Sequence, residues 1–402
     1  MSERFRRTPH LVCYWRGSHL VLDNYLGDSR VAATPLACEI LHAFDRWRPA
    51  SILARLFPAA RPESLAAAVV DLIRCGLLQR SAGDRDRQAD ARAATWDAWS
   101  PAASFFHFST KNGHEPIEPD VSEQILRRRA RSGRVPNPVK RYPRATHIQL
   151  PRPEALGELP RVVLERRTWR KLSPDGSIGL DQASTLLGLS FGVQLWLDMP
   201  GIGRVALKTS PSGGARHPIE AYVAALNVRG LQRGIYHYDA AGHRLELIRA
   251  GVTREEIVDS LNAQWWFGNA AAVVLMTGVF ARTQWKYPAP RAYRVVLVDA
   301  GHIAQTFCLV ATWQGLAPFC TMALSESKIE RALRIDGITE SVLYAAGVGI
   351  RPADVDWPSW EDRPYGRLLP NLSMRPTRKD TTVRRSAAAP ASSASRPRRR
   401  GR

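Results

Sequence analysis

Thr209-Ser210-Pro211-Ser212-Gly213-Gly214-Ala215-Arg216-His217-Pro218, followed by the apolar run Ile219 to Leu226, is the stretch on which the reading of this chain turns. Small residues, two glycines and two candidate cations stand together just before a predicted strand. A chain uses that composition to bring backbone amides close to a flat, electron-rich or anionic ligand. The same composition also makes an ordinary turn between two strands. The flanking sequence decides between the two.

Upstream, Val162 to Lys171 reads as the end of a helix that carries Arg166, Arg167, Thr168, Arg170 and Lys171. Guanidinium forks with a hydroxyl suit a phosphate, which wants several charge-assisted donors from one side. Gly179 to Val193 predicts an apolar helix. Gly201-Ile202-Gly203-Arg204-Val205-Ala206 matches the dinucleotide fingerprint in form. It is rejected because Leu197-Asp198-Met199-Pro200 does not read as a strand and Leu207 to Pro211 opens no helix.

Downstream come a strand at Ala221 to Asn227 and a hairpin, Gly234 to Tyr238 and Arg244 to Ile248, turning at Asp239 to Gly242. A buried strand is predicted at Ala271 to Phe280, a helix from Asp299 to Gly315 with His302 near its start, and a strand at Leu343 to Ile350. Strands and helices alternate without the rhythm of a doubly wound sheet, which predicts an α+β fold with a mixed sheet flanked by helices.

Residues 1–90 predict a small winged-helix-like domain. It has short strands at Leu11 to Trp15, His19 to Tyr25 and Arg30 to Ala33, then a helix capped by Thr34 with Pro35 first and Leu36, Ile40, Phe44 and Trp47 on one face. A later helix places Leu65, Val69, Leu72 and Ile73 inward. It has few cations, so a peptide or partner protein is the expected ligand rather than specific nucleic acid. Residues 91–150 read as a connector with one helix, Val121 to Ser132, and an aromatic cluster (Trp96, Trp99, Phe105, Phe106, His107) that packs on a neighbour. Residues 151–372 form the main domain.

The chain has 402 residues, 45% apolar, with a formal charge of +20. Ten Lys or Arg against one Asp place +9 of that charge in residues 373–402, a tail expected to be disordered. Cys13, Cys38, Cys75, Cys308 and Cys320 are odd in number and scattered, which supports neither a disulfide framework nor a zinc site, and no metal is expected. No apolar run near ~18 residues and no amino-terminal signal are found, so a cytoplasmic protein without a membrane span is expected.

Taken in order, Arg166-Arg167-Thr168-Trp169-Arg170, Pro211 to Pro218, Gly234-Ile235-Tyr236-His237-Tyr238, Lys286-Tyr287, Tyr293-Arg294, Asp299-Ala300-Gly301-His302, Gly315-Leu316 and Gly347-Val348-Gly349 resemble the FMN-dependent nitroreductase superfamily. Within it, residues 161–351 resemble the SagB-type azoline dehydrogenases of ribosomal peptide maturation. The resemblance implies an FMN site in which Arg166 and Thr168 hold the phosphate and ribityl chain and Arg170 the pyrimidine edge. Ser212, Gly213 and Gly214 would run along the ring system, with Arg351 as a further phosphate ligand. Ala317 to Thr321 departs from the family's glycine-rich segment, and Pro318 offers no amide there.

The implied reaction is oxidation of a thiazoline or oxazoline ring to the azole, with Lys286 or Tyr287 as the proton acceptor, shifted toward working pH by burial or a neighbouring cation. Without the resemblance, Lys286 would read as a surface cation and Tyr287 as a core ring. His217 and Arg216 are lesser candidates for contact with flavin or substrate, and Cys320 reads as a small packed side chain. A precursor peptide, cyclodehydratase partner proteins and a homodimer are the implied partners. A flavin reductase using NAD(P)H and a non-catalytic docking subunit remain open as alternatives.

Overall fold

Six strands make the central sheet in the order Arg244–Ala250, Gly234–Asp239, Ile219–Ala225, Ala272–Val279, Glu340–Gly349, Ala317–Thr321. The computed structural model that shows this describes residues 3–81, 90–91, 94–113, 119–133, 136–151 and 157–353. The basic tail 373–402 lies outside the described residues. Every neighbouring pair in this sheet is antiparallel, where a mixed sheet was expected. The connections re-enter the sheet at the end where the neighbouring strand left it, so Ala225 pairs with both Gly234 and Ala272.

Alternation along the strands divides the core into two layers, because successive side chains point to opposite faces. Ala221, Val223, Tyr236, Val274 and Met276 join one apolar cluster with the helices Leu180–Phe191 and Tyr293–Trp313. Tyr222, Ala224, Ile235, Val273 and Leu275 join the other, with the helices Arg254–Ser260 and Glu326–Leu333. The strand Ala272–Val279 is buried along almost its whole length, as a central strand covered on both faces must be.

The helix Tyr293–Trp313 begins six residues before the predicted start, so His302 sits in its middle. Residues 290–313 have the length and composition to cross a membrane, although Arg294, Asp299 and His302 interrupt their apolar character. Half of its most apolar stretch is buried inside the protein, with Val296, Ile303 and Phe307 in the core, which is the behaviour of a core helix.

Four further elements differ from expectation. Val193–Met199 and Gly203–Lys208 pair as a hairpin, so Leu197 to Met199 is a strand after all. It leads into another strand and not a helix, and the dinucleotide fingerprint still has no context. The helix stops at Glu165, so Arg166 to Lys171 is an irregular segment rather than helical, with the Trp169 amide donating to the Pro318 carbonyl at 3.0 Å. The connector holds a second α-helix, Ser100–Thr110, after a 3₁₀ helix at Ala94–Trp99. Its Ser, Phe, His and Thr residues are weak helix formers, and tertiary packing decides its conformation.

That packing is aromatic. Trp99 is fully buried and its indole donates to the Tyr287 carbonyl at 2.9 Å, while Trp96 donates to the Ile338 carbonyl at 2.9 Å. His107 Nδ1 pairs with the Tyr293 hydroxyl at 2.8 Å and its ring stacks on Trp96. Burial pushes the His107 imidazole well below its ordinary range.

The amino-terminal residues have a cluster of their own, including Phe5, Leu22, Ile40, Phe44, Leu65 and Leu77. Helices Pro35–Ala43, Ile52–Leu56 and Pro62–Arg74 accompany two three-stranded antiparallel sheets. The Thr34 side chain caps the first helix by accepting from the Ala37 amide at 3.3 Å, but Leu36, expected inward, is exposed. By contacts the chain forms two units. Met1–Pro138 with Arg166–Asp356 is one, and Val139–Glu165 with Trp357–Arg402 is the other. The second unit contains the helix Glu158–Glu165, with an Arg161–Glu165 ion pair at 2.8 Å.

Candidate functional site

The quoted glycine stretch is a loop held by one buried carboxylate. Asp299, on the long helix, accepts from the Ser212 hydroxyl at 2.6 Å and from the Gly213 amide at 3.3 Å. The Ser212 oxygen in turn accepts the His217 amide at 2.9 Å, closing the loop on itself. Burial pushes the Asp299 carboxyl above the ordinary carboxylate range, opposed by the two donors.

The loop needs its glycines. A Cβ on Gly213 would lie 2.2 Å from Val295 Cγ1, so the loop is pressed against the long helix. Gly214 has φ +63°, and a Cβ there would lie 2.6 Å from Lys286 Cδ, 2.6 Å from the Tyr287 hydroxyl and 2.7 Å from Lys286 Nζ. Ala215 at φ +55° and His217 at φ +44° share the left-handed region. Strain of this kind persists where surrounding contacts impose it, and it concentrates at functional sites.

Lys286 and Tyr287 thus end beside the glycine loop, although about 70 residues of chain separate them from it. Lys286 closes the helix Phe280–Lys286 and Tyr287 caps it, with the ammonium 5.5 Å from the centre of the Tyr287 ring. Lys286 is exposed, where a buried lysine was expected. Arg216 donates from Nε to the Gly214 carbonyl at 3.1 Å and lies over the Trp285 ring at 5.0 Å.

The other predicted residues lie elsewhere on the same unit. Arg351 sits over Trp169 at 5.2 Å and donates to the Leu316 carbonyl at 3.4 Å, bringing it beside the segment that begins at Arg166. Arg166 and Thr168 are half-buried, and Arg170 is exposed. Arg166 and Arg351 are guanidiniums that could hold a phosphate. The charge of Arg166 reaches the Cys308–Cys320 pair, where Cys320 Sγ accepts from the Tyr344 hydroxyl at 3.2 Å. The Cys308 hydrogen bond draws the Cys320 thiol below its ordinary range and pushes Cys308 up. Asp299 and Cys308, which meet the two ends of this arrangement, are nine residues apart on one helix, about 14 Å along its axis.

His217 and His302 do not join Lys286 and Tyr287 by any hydrogen bond among the described residues. His302 donates from Nδ1 to the Pro211 carbonyl, 3.2 Å away. His217 lines a cavity of about 410 Å³ behind the loop, with Lys208, Glu220, His237 and Arg282. Burial, then the Lys208 charge, holds the His217 imidazole down to about 4. His237 lies between Glu220 at 3.1 Å and Glu246 at 3.0 Å, and the Glu220 bond pushes it up to about 9 against its burial. Arg282 pairs with Glu220 and donates to the His217 carbonyl at 3.0 Å. Among the described residues no His, Cys, Asp or Glu group is placed to hold a metal ion.

Asp299 and the Glu220 network were missed as site residues. Both carried a signal, since Glu220 interrupts the apolar strand Ile219–Ala225 and Asp299 interrupts an apolar helix. A carboxylate in a core element needs partners, and those partners are at the site.

The nitroreductase family model matches residues 163–350. A protein of Methanocaldococcus jannaschii named as a nitroreductase is 30% identical over 188 residues, 47% of this chain and 89% of that protein. The trifolitoxin-processing protein TfxB of Rhizobium leguminosarum bv. trifolii is 33% identical over 175 residues, 42% of this chain and 46% of its own length. The microcin B17-processing protein McbC of Escherichia coli is 28% identical over 145 residues, 35% of this chain and 53% of its own length. The chain therefore spans about half the length of these two processing proteins.

Proposed function

The chain belongs to the nitroreductase family, and we propose that it is an FMN-dependent dehydrogenase of peptide maturation, oxidising azolines to azoles in a ribosomally made peptide. The observation that carries this reading is the approach of Lys286 and Tyr287 to Gly214, which sets the two candidate proton acceptors against the loop expected to line the flavin. The similarity to trifolitoxin- and microcin-processing proteins supports the peptide as substrate.

The residues present fit the cofactor. Arg166 and Arg351 would hold the phosphate with Thr168, Arg170 would meet the pyrimidine edge, and Ser212, Gly213 and Gly214 would lie along the ring system. The two glycines leave no room for a Cβ, so the loop backbone itself is the surface offered. When bound, FMN supplies a two-electron acceptor for a hydride from the heterocycle. The chain contributes the proton acceptor, Lys286 or Tyr287, for the adjacent carbon, so that the ring loses two hydrogens in all. Asp299 holds the loop, and Trp99 holds the Tyr287 backbone.

A small amino-terminal domain of winged-helix type belongs to the same proposal, as the part that engages a leader peptide or a partner such as a cyclodehydratase. Its strand Leu11–Arg16 is an edge of its sheet and can accept an added strand. A homodimer in the cytoplasm is the proposed form.

The test is to purify the protein, read flavin absorbance, and assay a ring-containing peptide by mass for the loss of two hydrogens. Full FMN with no azole formed, together with NADPH-driven reduction of an electron-poor compound, replaces this reading with that of a reductase. A protein that takes up no flavin replaces it with that of a docking subunit.

A further inference from the structure

The cavity behind the glycine loop has a strongly charged wall. Arg204, Lys208, Arg216 and Arg282 line it with His237, against Glu220 and Asp239. Glu220 is already committed to His237 and Arg282, and Asp239 pairs with Arg244 at 3.0 Å. Lys208 is half-buried, and among the described residues no hydrogen bond or ion pair to it is seen. Glu220 attracts the Lys208 ammonium but is shared with His237 and Arg282, and burial outweighs it and pushes Lys208 below its ordinary range. An anion entering the cavity would restore what burial removes.

We propose that this cavity is a subsite for an acidic side chain of the peptide substrate, its carboxylate held by Lys208 with Arg204 and Arg216. This rests on the reading of the protein as a peptide-maturation enzyme. Arg216 ties the subsite to the chemistry, since its guanidinium bonds the Gly214 carbonyl and covers Trp285, the residue before Lys286. Arg204 lies over the Trp196 ring at 4.7 Å and is only loosely placed against Asp198, at 3.8 Å.

The occupant is a peptide because the cationic wall has an apolar rim. Val193 and Trp196 of the hairpin line the cavity beside the charges, and Trp196 is exposed, which offers an apolar face to the side chain next to an acidic residue. The cavity, about 410 Å³, is larger than one carboxylate and is of the size that takes part of a chain. The phosphate of a dinucleotide shares the anionic chemistry and is separated by the test.

Calorimetric titration of the full-length, FMN-loaded protein with acetylated hexaglutamate amide, its hexaglutamine counterpart and NADPH tests the proposal without turnover. Hexaglutamate should bind and hexaglutamine should not. Lys208→Gln and Arg204→Gln should each weaken hexaglutamate at least about five-fold, as loss of a charge-assisted contact does. Lys208→Arg should retain it. Arg74→Gln, on a helix of the amino-terminal residues, should bind like the parent and so control for the charge of the chain as a whole. Equal binding by the parent and both glutamine variants overturns the proposal. So does equal affinity for the two peptides, or a Lys208-dependent affinity for NADPH with none for hexaglutamate. If Lys208→Gln does not fold, Arg204→Gln carries the test, its side chain being 64% exposed. An azoline peptide that binds but is not oxidised counts against the dehydrogenase reading alone, whereas binding indifferent to Lys208 and Arg204 counts against the subsite alone.

Discussion

The Ser212 hydroxyl donates to Asp299 at 2.6 Å across 87 residues of chain, and this one bond ties the glycine loop to the long helix. The carboxylate also holds the Gly213 amide, so one buried side chain sets two consecutive residues of the loop.

Removing that side chain should therefore loosen the loop before it unfolds the protein. Asp299→Ala leaves a hydroxyl and an amide without their acceptor, a loss of about 1–3 kcal/mol. Asp299→Asn keeps one acceptor oxygen and should fall between the parent and the alanine variant. Denaturant unfolding and flavin content measure the two effects, and an alanine variant with parental stability and full flavin would show that Asp299 does not hold the loop.

Gly214→Ala tests the approach of Lys286 and Tyr287. The new methyl must displace the far ends of flexible side chains, and a left-handed alanine costs about 1–2 kcal/mol. Azole formation should drop by a far larger factor than stability, since displacing a catalytic group by an ångström costs about a hundred-fold. Thermal melting run beside the mass assay gives the comparison; a variant that loses stability but keeps the parental rate removes the pair from the chemistry.

Lys286→Ala and Tyr287→Phe should retain bound FMN while azole formation falls by roughly 10²- to 10⁴-fold, the range for lost acid-base catalysis. Arg166→Ala should do the opposite and lower flavin occupancy first. Absorbance at the flavin bands followed by the mass assay separates the two patterns. Parental rates from both Lys286→Ala and Tyr287→Phe would move the base elsewhere, with His217 next in line.

Two histidines shape the pH dependence of stability from opposite sides. His237 titrates at about 9 in the fold, above its ordinary 6.5, so the stability it adds is complete below 6.5 and is lost as pH rises through about 9. His217 titrates at about 4, so its contribution is complete above 6.5 and is lost as pH falls through about 4. Melting temperature against pH should therefore decline on both flanks. His237→Gln should flatten only the alkaline flank and His217→Gln only the acid one; variants that flatten neither would assign the decline to other groups.

Periodicity and local chemistry were enough for the elements that stabilise themselves locally. The Thr34 cap with Pro35, the hairpin on either side of residues 240–243 and the buried run Ala272–Val279 could all be read because their signals lie within a few residues. The same is true of the ordered motifs that placed the chain in its family. The helix Ser100–Thr110 and the hairpin Val193–Lys208 could not be read in this way, since contacts with distant residues override weak or misleading local preference there.

What the sequence alone determined, then, was the family, the α+β class and the residue types available for the chemistry. Which of those residues meet was decided only by the tertiary structure. Gly214 reaches Lys286 and Tyr287 because the strand Ala272–Val279 runs antiparallel to Ile219–Ala225 and delivers the following helix to the end of the sheet where the glycine loop enters. Asp299 reaches Ser212 because the long helix packs over the same face of the sheet. Side-chain approach across such separations depends on sheet register and helix packing, which no local stretch of sequence encodes.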